Sequence, residues 1–384
     1  MPWKETQKMD QRKEFVLRAV SSANFRELCD EYGISTKTGY KWRQRFIEQG
    51  LEGISERSRR PQGHANQLAE EEICEIVRLK QGHPRWGPRK IQELYRRKHQ
   101  GQAPSESSFK RILQRAGLTV PRRLKRVAQT GRLSCAIEVT QPNDLWTVDF
   151  KGWWKSSRGL RIEPLTVRDQ YSRMILDMRV VADARTESVR QCFERLFQHY
   201  GLPRVIRSDN GSPFASTNGL LGLTRLSVWW LALGIDLDRS RPGCPQDNCE
   251  HERMHRDVCE LQDRREDDQE AFDLWRQEFN SERPHEALDM RMPAEVYHRS
   301  ERRYQGTPED IDYGQRPTRR VHQNNGTISH QAECVFLSMA LGGWSVGLSP
   351  RTDGLFDVWF SKLLLGQLDP QTASFRASDL NSNA

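Results

Sequence analysis

Apolar positions change their spacing twice along this chain of 384 residues. From residue 11 to about 50 they recur at helical intervals: Phe25 and Leu28 are three apart, and Gly39, Trp42 and Phe46 share one stripe. Between them Gly33 permits a tight turn, Ile34 is an apolar staple and Ser35 suits an N-cap. This predicts helix, short helix, turn, helix. Ser35, Thr36, Lys37, Tyr40, Lys41 and Arg43 lie at or near the outer face of the last helix's first turns, the part that a helix-turn-helix inserts into the major groove. A second helical set follows the polar stretch 57–67. It comprises Ala69–Lys80, a helix entered at Pro88 and running to about Arg97, and a helix capped by Ser105. In the last of these Phe109, Ile112 and Leu113 point inward, leaving Ser107, Ser108, Lys110 and Arg111 outside. The run P-R-R-L-K-R (121–126) is too basic and too poor in apolar residues to pack, and reads as a linker whose Arg122 and Arg123 track phosphates.

From Asp144 the period shortens to that of strands. Leu145–Phe150, Ile162–Arg168 and Arg173–Val181 are closely spaced, as in a meander. Thr186–Tyr200 then carries Val189, Cys192, Phe193, Leu196 and Phe197 at helical spacing before Gly201-Leu202-Pro203 stops it. Val205–Arg207 is a further short strand, and helical stretches follow at about 220–233, 246–263 and 267–280. Three antiparallel strands, a crossover helix, another strand and closing helices describe an α/β domain of ribonuclease-H type. After Tyr304 the pattern is β-rich again. An Asn-Gly hairpin signal lies within 321–328, and short runs at 335–337, 345–348, 355–360 and 363–368 suggest a small β-barrel. The expected fold is multidomain: a helix-turn-helix domain at 1–60, a second such unit at 61–120, a basic linker at 121–140, an α/β core at 141–303, a barrel at 304–370 and a frayed tail at 371–384.

Charge sharpens the division. Residues 1–130 hold 28 Lys+Arg against 15 Asp+Glu, so with a total of +8 the remaining 254 residues carry −5. A basic front joined to a mildly acidic remainder fits a nucleic-acid-binding arm on another module. The eight cysteines (29, 74, 135, 192, 244, 249, 259, 334) include no C-x-x-C pair, which argues against a disulfide framework or structural zinc site. No apolar stretch reaches the roughly 20 residues of a membrane span. The expectation is a cytoplasmic, nucleoid-associated protein with no membrane partner.

Candidate chemistry rests on carboxylates. Asp149 ends the strand run L-W-T-V-D-F, Asp209 ends V-I-R-S-D, and Q-D-N-C-E-H-E-R-M-H-R places Glu250 and Glu252 on a helix around His251. Two Mg²⁺ ions about 3.5–4 Å apart commonly run phosphodiester chemistry, one at the attacking and one at the leaving oxygen. Three convergent carboxylates are a minimal set to hold them. Asp149 and Asp209 taken singly read equally well as a strand-end and a turn aspartate. Of the two glutamates, Glu252 shares a helix face with Asn248 while Glu250 points roughly 200° away. Glu252 is preferred. Arg253, His255 and Arg256 then fall near the site, available to hold phosphates.

At these residues the chain resembles bacterial insertion-sequence transposases with a retroviral-integrase-like catalytic core and N-terminal helix-turn-helix units. The resemblance is carried by G-I-S-T-K-T-G-Y-K-W (33–42), H-P-R-W-G-P-R-K (83–90), N-D-L-W-T-V-D-F-K-G, R-S-D-N-G-S-P-F, P-Q-D-N-x-x-H-E-R-M-H-R (245–256) and F-N-x-E-R-P-H-E-A-L (279–288), and covers roughly residues 1–370. It implies an Asp-Asp-Glu triad at Asp149, Asp209 and Glu252, two Mg²⁺ (or Mn²⁺), and attack by water and then by a DNA 3′-hydroxyl. It also implies recognition of the element's terminal inverted repeats in double-stranded DNA, joining to target DNA, and a homo-oligomer bridging two ends. Three positions depart from the family pattern: Cys249 follows Asn248 where glycine is usual, Cys244 replaces a common histidine, and Cys259 stands where a basic residue is usual seven positions after the glutamate. Cys249 and Cys259 support an alternative reading, a weakened or inactive copy that serves only as a helix-turn-helix DNA-binding protein or repressor.

Overall fold

The computed structural model describes residues 8–56, 68–119, 137–181, 185–240, 249–330 and 333–378; within 249–252 it describes the backbone but not the side chains of 249, 250 and 252. The chain divides into two compact units, Met1–Glu72 and Ile73–Ala384. In the first, α1 (Lys8–Ser21), α2 (Phe25–Glu31) and α3 (Thr36–Gln49) enclose Phe15, Val16, Leu28, Cys29, Trp42 and Ile54. The expected cap is present: the Ser35 hydroxyl accepts from Thr38 N at 3.2 Å. Gly39 is required by packing, since a Cβ there would lie 2.5 Å from the Cys29 sulfur.

The second unit opens with α4 (Glu70–Gly82), α5 (Pro88–Lys98) and α6 (Glu106–Arg115), packed around Ile76, Trp86, Ile91, Tyr95, Phe109 and Leu113. Ser105 caps α6 by accepting from Ser108 N. This helical set is not a free arm. Arg97 pairs with Glu295, Arg85 with Asp263 and His83 with Glu278, joining it to the helices of the α/β domain. Of the basic linker, residues 120–136, Arg122 and Arg123 included, fall outside the described residues.

The α/β domain is a five-stranded sheet in the order β5-β4-β1-β6-β7: β1 is Leu145–Phe150, β4 Pro164–Asp169, β5 Ile175–Val180, β6 Val205–Ser208 and β7 Asp236–Arg239. A short hairpin, β2 (Trp154–Lys155) with β3 (Arg161–Ile162), branches from it. Strands β4 and β5 are antiparallel neighbours, whereas β6 and β7 run parallel to β1. Strand alternation splits the two faces. Trp146, Val148, Leu165 and Val167 enter the main core with α7 (Thr186–Tyr200) and α8 (Arg225–Ala232). Thr147, Asp149, Thr166 and Arg168 lie on the opposite face, against α9 (Cys249–Asp263). There Met254, Val258 and Leu261 of α9 pack with Ile175 and Met178 of β5 and with Phe272 and Phe279 of α10 (Gln269–Ser281). Helix α10 also closes the β5 edge. Asn280 accepts from Ile175 N and donates to Ile175 O, Arg276 donates to Leu176 O, and Gln269 bridges Met178 O and Val180 N. Side chains thus occupy an edge that would otherwise template further strands.

The short α11 (Pro293–Val296) leads to the C-terminal region, where the barrel expectation fails. Strands β8 (Thr318–Arg320), β11 (Ser345–Pro350), β12 (Phe356–Phe360), β13 (Leu363–Asp369) and β14 (Ser374–Ala377) form an open antiparallel sheet in the order β14-β13-β12-β11-β8. β9 (Thr327–His330) and β10 (Glu333–Phe336) pair separately. The Asn-Gly turn does form, with Gly326 at φ +67° donating to His322 O, but its two arms go to different sheets. Closure is unnecessary because Leu223, Val228 and Leu231, around and within α8, join the apolar cluster of this sheet. Ser374–Ala377, expected in the tail, is the edge strand β14.

Candidate active site

The parallel ladder brings the two aspartates together. Leu145, Trp146 and Thr147 stand opposite Val205, Ile206 and Arg207. The pairing ends there; Asp149 lies two residues further along β1, and Asp209 directly follows β6, the neighbouring strand. Both stand at the C-terminal ends of their strands, where open α/β sheets place ligands. Asp209 is exposed, and its Oδ1 accepts from Gly211 N at 3.2 Å. A Cβ at Gly211 would lie 3.0 Å from Asp209 Oδ2, so a side chain there would press on the carboxylate. Asp149 is more enclosed, with its side chain 17% exposed.

Beneath Asp149 lies a buried polar hub that the sequence reading did not foresee. The Thr166 hydroxyl is 2.9 Å from the Asp149 carbonyl, 2.6 Å from His251 Nε2 and 2.9 Å from His255 Nε2. Thr147 Oγ1 meets the other nitrogen of His251, Nδ1, at 2.8 Å. His255 turns Nδ1 towards Asp149, 3.9 Å from Oδ2. Burial pushes both histidines below the ordinary imidazole range, His255 to about 3, helped by the positive charges of Lys151 and Arg168. His255 is 5% exposed and points into the sheet, which corrects the expectation that it is available to hold phosphates. The only sequence signal for the hub was the His251/His255 pair at i, i+4 and the threonines at period two on neighbouring strands.

Position 252 lies in the first turn of α9, three residues before His255, so the two share a helix face. Position 250 is five residues before His255, about 140° round the helix from it. The backbone phase therefore sets 252 on the flank next to the Asp149 contact. Cys259 is two turns beyond 252 on that flank, partly exposed, its thiol donating to His255 O at 3.6 Å.

The flank of α9 that carries Arg253 and Asp257 opens into a cavity of about 730 Å³. Lys90, Arg168, Arg173, Arg253, Arg256 and Arg283 line it, against only Asp257 and Glu286. Arg283 pairs with Asp257 at 2.7 Å. Burial and the nearby Arg283 charge bring Lys90 down to about 8. Arg253 and Arg256 were foreseen; Lys90, Arg168, Arg173 and Arg283 converge from three separate segments and were not. In the helical units, Ser35, Thr36, Lys37, Tyr40 and Lys41 are exposed, as are Ser107, Lys110 and Arg111. Arg43 is partly buried, its guanidinium over the Phe25 ring.

Comparison with known proteins agrees with this organisation. A helix-turn-helix domain matches residues 11–62 and a homeodomain-like domain 38–113. Two integrase core domain models match residues 139–245 and 233–293. The uncharacterized 31.7 kDa protein of insertion element IS407 from Burkholderia multivorans is 27% identical over 242 residues, 60% of this chain and 81% of that protein. The uncharacterized 39.2 kDa protein of insertion element IS476 from Xanthomonas euvesicatoria is 28% identical over 228 residues, 57% of this chain and 62% of that protein. Among solved structures, the HTLV-2 integrase catalytic core domain in complex with magnesium aligns at TM-score 0.33 and 15% identity, over 41% of this chain and 98% of that one. The simian T-cell lymphotropic virus intasome in complex with PP2A regulatory subunit B56 gamma aligns at 0.36 and 16%, over 68% and 90%.

Proposed function

We propose, for a chain that is an insertion-element transposase with helix-turn-helix units ahead of an integrase catalytic core, that it binds its element's terminal inverted repeats, cleaves DNA strands there and transfers the 3′ ends into target DNA. The observation that supports this reading is that Asp149 and Asp209 stand at the C-terminal ends of the adjacent parallel strands β1 and β6, with α9, which carries position 252, packed beside Asp149. Hard oxygen donors so placed suit Mg²⁺ or Mn²⁺. Two such ions, when bound, supply Lewis-acid stabilisation of the attacking and leaving oxygens of an in-line displacement.

The protein's own residues do the rest. Asp149, Asp209 and Glu252 hold the ions. The cavity of Lys90, Arg253, Arg256 and Arg283 offers cations to a phosphate backbone. Exposed Ser35, Thr36, Lys37, Tyr40 and Lys41, with Arg43 beside them, read the end sequence in the major groove, and Ser107, Lys110 and Arg111 form a second contact. The basic segment with Arg122 and Arg123 tracks phosphates between them. Joining two ends to one target calls for a homo-oligomer on DNA. Among the described residues no helix is long and apolar enough to cross a membrane.

The test is Mg²⁺-dependent nicking and joining of labelled end DNA. Asp149→Asn, Asp209→Asn and Glu252→Gln should each abolish both while end binding persists. Loss of activity in Glu250→Gln with Glu252→Gln unaffected would reassign the glutamate. End binding by the unmodified chain without any metal-dependent cleavage would instead favour the repressor reading, for which Cys249 and Cys259 speak.

A further inference from the structure

The seam between the second helical set and the α/β domain is electrostatic. Their apolar cores are separate clusters, one around Ile76, Ile91 and Phe109 and the other around Val258, Phe272 and Phe279. Ion pairs cross the seam: Arg97 with Glu295, Arg85 with Asp263, Arg89 with Glu286 and His83 with Glu278. All four are partly open to solvent, where such pairs each contribute little.

The cavity of about 730 Å³ lies on this seam, and there the charges do not match. Arg85 and Lys90 line it from the helical side, Arg253, Arg256 and Arg283 from the core, against Asp257 and Glu286. Asp257 is taken by Arg283 at 2.7 Å and Glu286 by Arg89 at 3.4 Å. Lys90 makes no ion pair among the described residues. Two buried atoms of the lining, Arg283 Nε and His285 Nε2, have no hydrogen-bond partner there either. The surplus is felt on both sides. Burial and then the Arg283 charge bring Lys90 to about 8, and burial, Lys90 and Arg283 hold His285 at about 2. Cations gathered from two sides of a weak seam push it open unless an anion sits among them.

We infer that this cavity is a phosphate seat whose occupant, a short run of DNA backbone, supplies the missing negative charge and seals the second helical set onto the catalytic core. Arginine forks and a lysine are the side chains that phosphate oxygens take up. The volume falls within the roughly 300–1,000 Å³ of ligand pockets, more than a lone phosphate fills. Met254, Phe279 and Ala287 add apolar surface for the sugars between phosphates. The inference rests on the proposed DNA chemistry for the identity of the anion; the seal itself follows from the charges.

The test is binding and hydrogen exchange on the full chain, with tripolyphosphate and a short single-stranded oligonucleotide as probes. Both should bind, compete with each other, and slow amide exchange in α5 and α10, which flank the cavity. Lys90→Met should weaken both probes by about ten-fold, whereas Lys362→Met, on the C-terminal sheet, should not. Lys90→Glu places the missing negative charge on α5 itself. Its α5 should exchange slowly without a probe, and neither probe should slow it further, with circular dichroism establishing the fold. Probe binding that Lys90→Met leaves unchanged, binding without slower exchange in α5, or faster α5 exchange in folded Lys90→Glu would each overturn the seal. Tripolyphosphate binding with which the oligonucleotide does not compete would overturn DNA as the occupant. Metal-dependent cleavage of end DNA is measured separately. Its absence from the unmodified chain, with the Lys90 dependence intact, would count against the proposed activity and not against the seal.

Discussion

Replacing Thr166 by valine changes one oxygen for one methyl at the centre of the hub, and the structure gives the size of the effect. Valine nearly matches threonine in shape, so little cavity forms. What is lost is the hydrogen-bond partner of two ring nitrogens and of the Asp149 carbonyl. A buried polar group left without a partner costs about 1–3 kcal/mol, so three such groups amount to about 3–9 kcal/mol. The lower half of that range is expected, because the Asp149 carbonyl lies near the open end of β1. Even this is a large share of the roughly 5–15 kcal/mol that holds a typical domain together. Thr166→Ser keeps the oxygen and loses one methyl, for about 1 kcal/mol. Urea unfolding followed by tryptophan emission, reported by Trp146, Trp229 and Trp230 in the main core, measures both. If Thr166→Val falls within about 1 kcal/mol of Thr166→Ser, the hub is not the network described.

Three further outcomes are expected. Cys259→Lys should raise cleavage or joining of labelled end DNA by about ten-fold, the worth of one restored phosphate contact of about 1.4 kcal/mol; no gain with binding unchanged would mean a cation is dispensable there or that Arg256 already supplies it. Stability should fall on acidification. His251, His255 (about 3) and His285 (about 2) have folded values below the ordinary 6.5, so the unfolded chain takes up protons first. The stabilisation is present above pH 6.5 and lost as pH falls below it, by about 2 kcal/mol each for His255 and His285 at pH 5. In urea titrations at pH 7.5 and 5.0, His285→Gln should shrink the difference by that amount, and an unchanged difference refutes the assignment. Lys37→Ala and Lys41→Ala should weaken binding to element ends, each lowering the salt slope by about one; binding by either variant with the unmodified slope would remove that residue from the phosphate contacts.

Local pattern settled much of this protein before any tertiary contact was known. The stripe Gly39–Trp42–Phe46 with Ser35 ahead of it, and Ser105 before Phe109 and Leu113, are self-contained signals, and both caps form where the serines stand. Strand β1 and helix α7 also match their apolar runs, because each buries one face against a continuous core. The sequence by itself likewise picked out Asp149 and Asp209 as strand-end carboxylates. Strand β7 was missed: D-L-D-R is short and charged, and it exists only because β6 offers it a ladder and Arg207 pairs with Asp238. The barrel was wrong because closure depends on which surface covers the sheet, and that surface is α8 from another domain of the chain. The site divides in the same way. Carboxylate identity is written in the residues, but that β1 and β6, which carry Asp149 and lead to Asp209, are parallel neighbours comes from the sheet. The hub beneath Asp149 comes from four side chains brought together on β1, β4 and α9, up to 104 residues apart along the chain. Periodicity reports which face a residue occupies; which partner waits on that face is decided only when distant segments meet.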